Sequence, residues 1–501
     1  MATLARPGTV LERTAHGAVW VVIWRMATRL LGTVSSLVLI RLLAPADFGL
    51  VALGYGFVSG LDVLCTVGVE QAVIRDEHPD RGLYDTCFTV NLLRSLVMGA
   101  ALAVGAGPIA SFLGDSRLYG ILLVFAAMTA GTGITNIGVL DFQRYLAFDK
   151  EFRLKIVPRV FSIAVAIITA VIWRSYWALV AGIVASATST VLFGYRMHPY
   201  RPRLTLRAWR RLAGFSLWMW VLGLIGTVRG QAPNLIVGRL AGAAPVGILT
   251  VGDEVASLPI TEFVAPLNRA SFPGFVDARR NAESAAGTFL RILAATALIV
   301  FPACAGISLV ADPVVKLAFG TAWMQAVPLI EVLAISRTLQ LFGMISSSMF
   351  AAHAWLRPMA KMNTATTVVC LLLLLALVPR FGVLGAAIAI AVADALNQAL
   401  YLVATMRRLG LRLSLLFARV WRGMLGTVVM AVVLVKLGLG WTAISGTGLA
   451  LAGHLLVAVV LGAGIYVAVL AAAWLISGKP EGAESDMLAL ASKLTTYLRR
   501  T

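Results

Sequence analysis

Apolar runs of about twenty residues recur along the whole chain, separated by short polar stretches. They fall near 18 to 40, 48 to 70, 84 to 107, 119 to 140, 156 to 173 and 177 to 196, then near 213 to 237, 246 to 268, 288 to 310, 325 to 351, 359 to 379 and 383 to 405, with a last pair near 420 to 438 and 450 to 476. A hydrocarbon core ~30 Å thick is crossed by ~20 apolar residues in helical form. The pattern therefore predicts an all-α integral membrane protein of about fourteen transmembrane helices. Its grammar divides the chain into an N-terminal lobe at 1–198, a C-terminal lobe at 199–408, two additional transmembrane helices at 409–477 and a polar tail at 478–501. In that tail Met487, Leu490, Leu494 and Leu498 recur at helical spacing, the mark of an amphipathic helix lying at an interface.

Composition excludes a soluble protein. Of 501 residues, 59% are hydrophobic and 13% charged, and the mean hydropathy is +0.89; a soluble domain carries about twice that share of charge. The formal net charge of +19 would suggest nucleic acid in another context. Here the positions of the charges decide otherwise. With the N-terminus in the cytoplasm, only seven of the 42 Lys and Arg residues fall on the outer side: Arg41, Arg117, Arg174, Arg239, Lys316, Arg380 and Lys436. The loop between helices six and seven alone holds Arg196, Arg201, Arg203, Arg207, Arg210 and Arg211 without an acid beside them. That asymmetry is the positive-inside signature. It expects both termini on the cytoplasmic side, makes anionic membrane lipids the partners of the basic loops, and leaves nucleic acid out. Cys65, Cys87, Cys304 and Cys370 are far apart in apolar runs, so neither a metal site nor a disulfide framework is expected. No Walker loop, HExxH, GxSxG or paired-His spacing is present, and the short loops leave no room for a catalytic domain; the expectation is a transporter without a metal or catalytic residues.

A charged side chain at mid-bilayer costs roughly 2.5 to 3.5 kcal/mol on insertion scales, so intramembrane polar residues point to a cavity or to a partner. Arg25, Arg29, Thr33 and Ser36 share one face of helix one by the 3.6-residue repeat. Tyr55, Ser59, Asp62 and Thr66 form a face of helix two that ends near Glu70; Ser216, Gly223, Thr227 and Asn234 do so on helix seven, and Thr250, Asp253, Ser257 and Thr261 on helix eight. These four stripes fit one water-filled cavity whose candidate substrate contacts are Arg25, Arg29, Tyr55, Ser59, Asp62, Thr227 and Asn234. Alternatives remain open at this level: Arg25 is close enough to the helix end to snorkel, Asp62 can serve as the structural partner of an arginine, and Arg229 points away from its own stripe. Arg94, Glu331, Arg337, Asp394 and Asn397 are further intramembrane polar groups. Asp253 and Glu254 are the candidate ion-coupling groups, for H+ or Na+, since no nucleotide-binding domain accompanies the helices. Pro259 and Pro266 are expected to bend helix eight by removing backbone hydrogen bonds.

The two halves share a short loop pattern. Arg41-Leu42 is followed after seven residues by Gly49-Leu50, and Arg239-Leu240 by Gly247-Ile248 at the same spacing. The segment Arg41 to Leu50, read as RLLAPADFGL, together with Ile236 to Gly242, Gly247 and Phe272-Pro273, closely resembles the polysaccharide-biosynthesis flippases of the Wzx type, with Ala44 where the family usually has glycine. The resemblance covers the chain in length, helix count and half-repeat. It implies membership of the multidrug/oligosaccharidyl-lipid/polysaccharide (MOP) exporter superfamily, two lobes around a central cavity, and alternating access. The cargo it implies is an undecaprenyl-pyrophosphate-linked oligosaccharide, carried to the periplasmic leaflet for exopolysaccharide, O-antigen or capsule synthesis, with a polysaccharide polymerase and glycosyltransferases as partners. Arg25 and Arg29 then become the leading phosphate contacts, because guanidinium binds phosphate oxygens bidentately. The rival readings are a peptidoglycan lipid-precursor flippase, a cation-coupled drug exporter of the MATE type, which would want an acidic or aromatic cavity, and a membrane-bound polymerase or ligase, which would want a long periplasmic loop.

Overall fold

The computed structural model of the protein describes residues 27–65, 73, 76, 79–145, 147–209, 217–264, 285–442, 448–480 and 482–485. All regular elements among them are helical. In chain order they are α1 (27–42), α2 (Pro45–Leu64), α3 (Arg81–Leu113), α4 (Arg117–Thr132), α5 (Phe148–Trp173), α6 (Trp177–Met197), α7 (Leu217–Ala241), α8 (Ala243–Ala256), α9 (Ala285–Leu309) and α10 (Val327–Ala352). The segment Leu356–Leu409 follows, then α13 (Leu413–Lys436) and α14 (Leu449–Ile476). Leu356–Leu409 is two helices, α11 and α12, folded against each other at Gly382, whose φ of 57° and ψ of −137° suit only glycine.

Nine of the described helices are long and apolar enough to cross a membrane, or ten if α4 is joined to its bent continuation Ile137–Arg144. The difference from the fourteen expected has identifiable sources. Leu356–Leu409 holds two of the expected spans. The described parts of α1 and α8 are short, and Arg229, Gln231 and Asn234 interrupt the apolar run of α7. The run expected at 119 to 140 is also not one straight helix: α4 ends near Gly133, and the chain turns by 72° into a short 3-10 turn, Ile137–Leu140. Helix eight is interrupted where its first proline sits, since α8 stops at Ala256 and Ile260–Val264 continues as a π-helical turn beyond Pro259. Pro266, Phe272 and Pro273, and the Met487 to Leu498 stripe, lie outside the described residues. Large apolar side chains such as Leu456 and Val460 of α14 are more than 60% exposed, as suits a surface solvated by lipid tails.

The chain forms two compact units, Met1–Gly247 and Ile248–Thr501. In the first, α3 packs on α4, α5 on α6, and α2 on α4 and α7. The helix α7, grouped by sequence with the second half, thus clusters with the first. Small residues bring it onto α2: a Cβ at Gly238 would meet the Leu53 side chain at 2.6 Å, and one at Gly56 the Gln231 amide at 2.9 Å.

The loop segment shared by the two halves has a clear physical role here. Pro45 opens α2 at a position where its missing N–H costs nothing. Asp47 then accepts hydrogen bonds from the Ala44 N–H (2.9 Å) and, with its other oxygen, from the Tyr176 N–H (3.0 Å), tying the α2 start to the α5–α6 turn. Gly49 and Gly247 face each other backbone to backbone. A Cβ on Gly49 would overlap the Ala243 carbonyl, and a Cβ on Gly247 would overlap the Pro45 carbonyl, each carbonyl lying four residues before the glycine of its own helix. The equivalent glycines of the repeat are therefore each other's contact.

In the second unit α9 packs on α10 and α13, α10 on Leu356–Leu409, and α13 on α14. Phe289, Leu293, Val300, Leu341 and Phe350 form its buried core. The start of the tail, expected to be polar, is docked: the Glu484 carboxylate accepts hydrogen bonds from Arg422 Nε (2.6 Å) and Nη2 (3.1 Å), with both side chains buried. Cys87, Cys304 and Cys370 are buried free thiols and Cys65 is half-buried and free.

Candidate polar cavity in the first unit

Helices α2 to α6 enclose a cavity of about 610 Å³. Tyr55 and Asp62 enter it from α2, Arg94 and Ser95 from α3, Thr129 and Thr132 from α4, Arg159 and Ser162 from α5, and Ser186 and Thr190 from α6. Two guanidiniums, one carboxylate and a set of hydroxyls thus line a space within an otherwise apolar helix bundle.

The charges are arranged unequally. Arg94 pairs with Asp62 at 3.0 Å, while its Nε is buried without a hydrogen-bond partner among the described residues. Arg159 is exposed to the cavity and has no ion pair among the described residues. It reaches toward α1, where Gly32 leaves it room: a Cβ there would stand 3.2 Å from the guanidinium. Among the described residues the lining carries a net positive charge, and Arg159 supplies donors that no acid of that lining neutralises.

The hydroxyls are set by the helices that bear them. Ser162 donates to the Gly182 carbonyl (2.8 Å), Thr132 to that of Thr129 (2.7 Å) and Thr190 to that of Ser186 (2.7 Å). A hydroxyl whose proton is committed to a backbone carbonyl presents its oxygen lone pairs outward as acceptors. The Thr129 hydroxyl is buried with no partner among the described residues. Guanidinium donors for an anion and hydroxyl acceptors for alcohol protons are the two complements a phosphorylated sugar requires. The Tyr55 ring is fixed edge-on to Phe125, with centroids 6.1 Å apart.

The structure brings together Tyr55, Asp62 and Arg94 of the residues singled out by sequence. Arg25, Thr66, Glu70 and Ser216 lie outside the described residues. Arg29 is half-buried in α1 and Ser59 half-buried in α2; neither lines this cavity. Thr227 and Asn234 are half-buried on α7, which packs on α2, and they too stand apart from it. Asp253 belongs to the second unit, where its carboxylate is hydrogen-bonded by Arg337 Nη2; Nη1 of the same arginine donates to Asp394 at 2.7 Å. Glu254 is exposed beside it. Sequence reasoning missed Arg159, because it follows Arg153 and Lys155 and reads as the last charge of a basic loop. It also missed Thr129, Thr132, Ser186 and Thr190, whose spacing of three or four residues was the available signal.

Comparison with known proteins agrees with this architecture. Residues 38–328 match the family model described as polysaccharide biosynthesis protein. The succinoglycan biosynthesis transport protein ExoT of Rhizobium meliloti is 24% identical over 64% of this chain, and the match spans 65% of ExoT. The lipopolysaccharide biosynthesis protein WzxC of Escherichia coli is 24% identical over 71% of this chain and 73% of its own length. The teichuronic acid biosynthesis protein TuaB of Bacillus subtilis is 23% identical over 54% of this chain and 57% of its own. Among solved structures, the lipid II flippase MurJ in an inward closed conformation superposes with a TM-score of 0.71 at 12% identity, over 90% of this chain and 98% of that one. An inward-facing multidrug resistance MATE family transporter of the MOP superfamily superposes with a TM-score of 0.61 at 16% identity, over 79% of this chain and 98% of the other. These two likenesses concern the fold. The family match covers more than half of the sequence, and this multi-pass membrane chain belongs to the polysaccharide biosynthesis protein family, the assignment to which its Arg41 to Leu50 segment pointed.

Proposed function

We propose that the protein is a flippase that carries an undecaprenyl-pyrophosphate-linked oligosaccharide repeat unit from the cytoplasmic to the periplasmic leaflet of a bacterial inner membrane, by alternating access, for exopolysaccharide, O-antigen or capsule synthesis. The observation that carries the reading is the cavity with an Arg159 unneutralised and an Arg94 half-satisfied among the described residues, beside a wall of hydroxyl acceptors. A diphosphate finds paired N–H donors there, and sugar hydroxyls find acceptors, while apolar surfaces outside accommodate a polyprenyl tail. The family match and the relatives named for succinoglycan, lipopolysaccharide and teichuronic acid biosynthesis support the same cargo class. On this reading the termini are cytoplasmic, and the enzymes that build and polymerise the repeat unit are its functional partners.

The cavity's charge argues against a drug/cation exporter, which would want carboxylates in excess of guanidiniums. The likeness to MurJ keeps a peptidoglycan lipid precursor as the second cargo, because it shares the diphosphate and the polyprenyl tail. The deciding experiment is deletion of the gene in its host. Lipid-linked repeat units should accumulate on the cytoplasmic side while surface polysaccharide disappears and peptidoglycan synthesis continues. Normal surface polysaccharide together with increased sensitivity to organic cations would overturn the assignment.

A further inference from the structure

A second cavity, of about 550 Å³, lies in the first unit at the end where α3 and α5 begin and α6 finishes. It is the end that carries the arginine-rich 196–211 loop, and it is separate from the cavity just described, sharing none of its lining residues. Its floor is aromatic, formed by Phe142, Tyr84 and His198. Its rim carries three cations, Arg81, Lys150 and Arg201.

The one acid among its described lining residues is already committed. Asp141 is buried, accepts a hydrogen bond from the Tyr84 hydroxyl, and lies 3.4 Å from His198 Nε2. Asp85, behind the wall, accepts from the Tyr200 hydroxyl (2.6 Å) and the Arg203 N–H (3.1 Å), and stands 3.7 Å from Arg81 Nε. Burial and the bond to Asp85 hold the Tyr200 phenol above its usual range, so it stays a neutral donor. The rim therefore keeps a positive excess.

The site is also built rather than incidental. The Asn136 amide donates to the carbonyls of His198 and Tyr200, both at 3.2 Å. Thr86 and Thr89 accept from the Ala208 and Thr205 N–H groups at 3.1 and 3.0 Å, lacing the loop to α3. Arg201 Nη1 donates to the carbonyls of His198 (3.1 Å) and Tyr200 (3.0 Å), which fixes its guanidinium at the rim. Lys150 Nζ stands 5.9 Å from the centre of the Phe142 ring. A cationic rim over aromatic walls, at the ends of several spans, matches the boundary layer where lipid phosphates sit.

From this geometry we propose that the cavity lined by Arg81, Lys150, Arg201 and Phe142 binds the phosphate head group of an anionic phospholipid, at a site distinct from the cargo cavity. The phosphodiester oxygens accept hydrogen bonds from the rim cations, and the glycerol stem rests against Phe142 and Tyr145. The proposal stands whether or not the cargo assigned above is correct.

Native mass spectrometry of the purified full-length protein, titrated with phosphatidylglycerol or phosphatidylcholine, tests it. The wild-type chain should retain phosphatidylglycerol preferentially, and millimolar inorganic phosphate should not displace it. A basic residue beside an anionic surface contributes about 1 kcal/mol, so each charge removed should weaken retention roughly fivefold. Lys150→Gln alone should show that drop, Arg81→Gln with Lys150→Gln its square, and Lys150→Arg none. Should the double variant fail to fold, Lys150→Gln decides, because its ammonium holds no hydrogen bond among the described residues. Arg159→Ala, in the other cavity, should leave retention unchanged. Equal retention of both lipids, an unaffected Lys150→Gln variant, or full displacement by inorganic phosphate would each overturn the proposal.

Discussion

Arginine and aspartate meet inside the helices of both units, and the two meetings are opposites. In the second unit Arg337 is 9% exposed and is held by Asp253 on one side and Asp394 on the other, so its terminal nitrogens are used within the protein. In the first unit, among the described residues, Arg94 has one ion partner, Asp62, whose side chain is 53% exposed, and Arg159 has none. The acids differ less, Asp253 being 42% exposed itself; it is the guanidinium that is enclosed in one place and open in the other. A closed ion cluster fixes the positions of three helices, at the cost of desolvating its charges. An open one leaves donors for something that is not part of the chain.

The sharpest way to break this contrast is Arg337→Ala. It strands the buried Asp394 carboxylate and the Asp253 carboxylate, whose side chain is 42% exposed; removal of one partner from a fully buried cluster destabilises by about 3 to 5 kcal/mol, and this half-open one should lose less. We expect a large fall in thermal unfolding temperature in detergent, rescued in part by adding Asp253→Asn and Asp394→Asn. An unchanged melting curve would show that the triad is not structural. The next largest effect should come from Arg159→Ala, read in a lipid-linked oligosaccharide translocation assay. A hydrogen bond to a charged group contributes roughly 1.5 to 3 kcal/mol, so transport should fall by about tenfold to a hundredfold while stability is retained. Equal transport would remove Arg159 from the site. The smallest effect is expected for Asp62→Asn. Exposed pairs contribute less than about 1 kcal/mol, so the fold should be indifferent, while release of Arg94 should tighten binding of a soluble diphosphate, followed by thermal shift. Weaker binding instead would make Asp62 a ligand rather than a counter-charge.

Much of the fold was legible because membrane insertion writes itself into the sequence as long apolar runs, and the runs near 84 to 107 and 450 to 476 became Arg81–Leu113 and Leu449–Ile476. Interruptions were harder to see. The 72° turn after α4 depends on Asn136 capping the Gly138 N–H at 2.9 Å and reaching loop carbonyls some sixty residues away, which no local pattern announces. Asp62 and Tyr55 were readable in the site because a carboxylate and a phenol stand out in an apolar run. Arg159 was not, since a charge at the edge of a run looks like the loop beside it. The Arg337 to Asp253 pairing joins residues 84 positions apart, and only packing of the second unit reveals it.

The facing glycines add a constraint of another kind. Because Gly49 seats on the carbonyl of Ala243 and Gly247 on that of Pro45, a single methyl at either position is a wedge that both copies of the pattern must feel. Each copy thereby polices the other, and drift in one is checked by the shape of its twin.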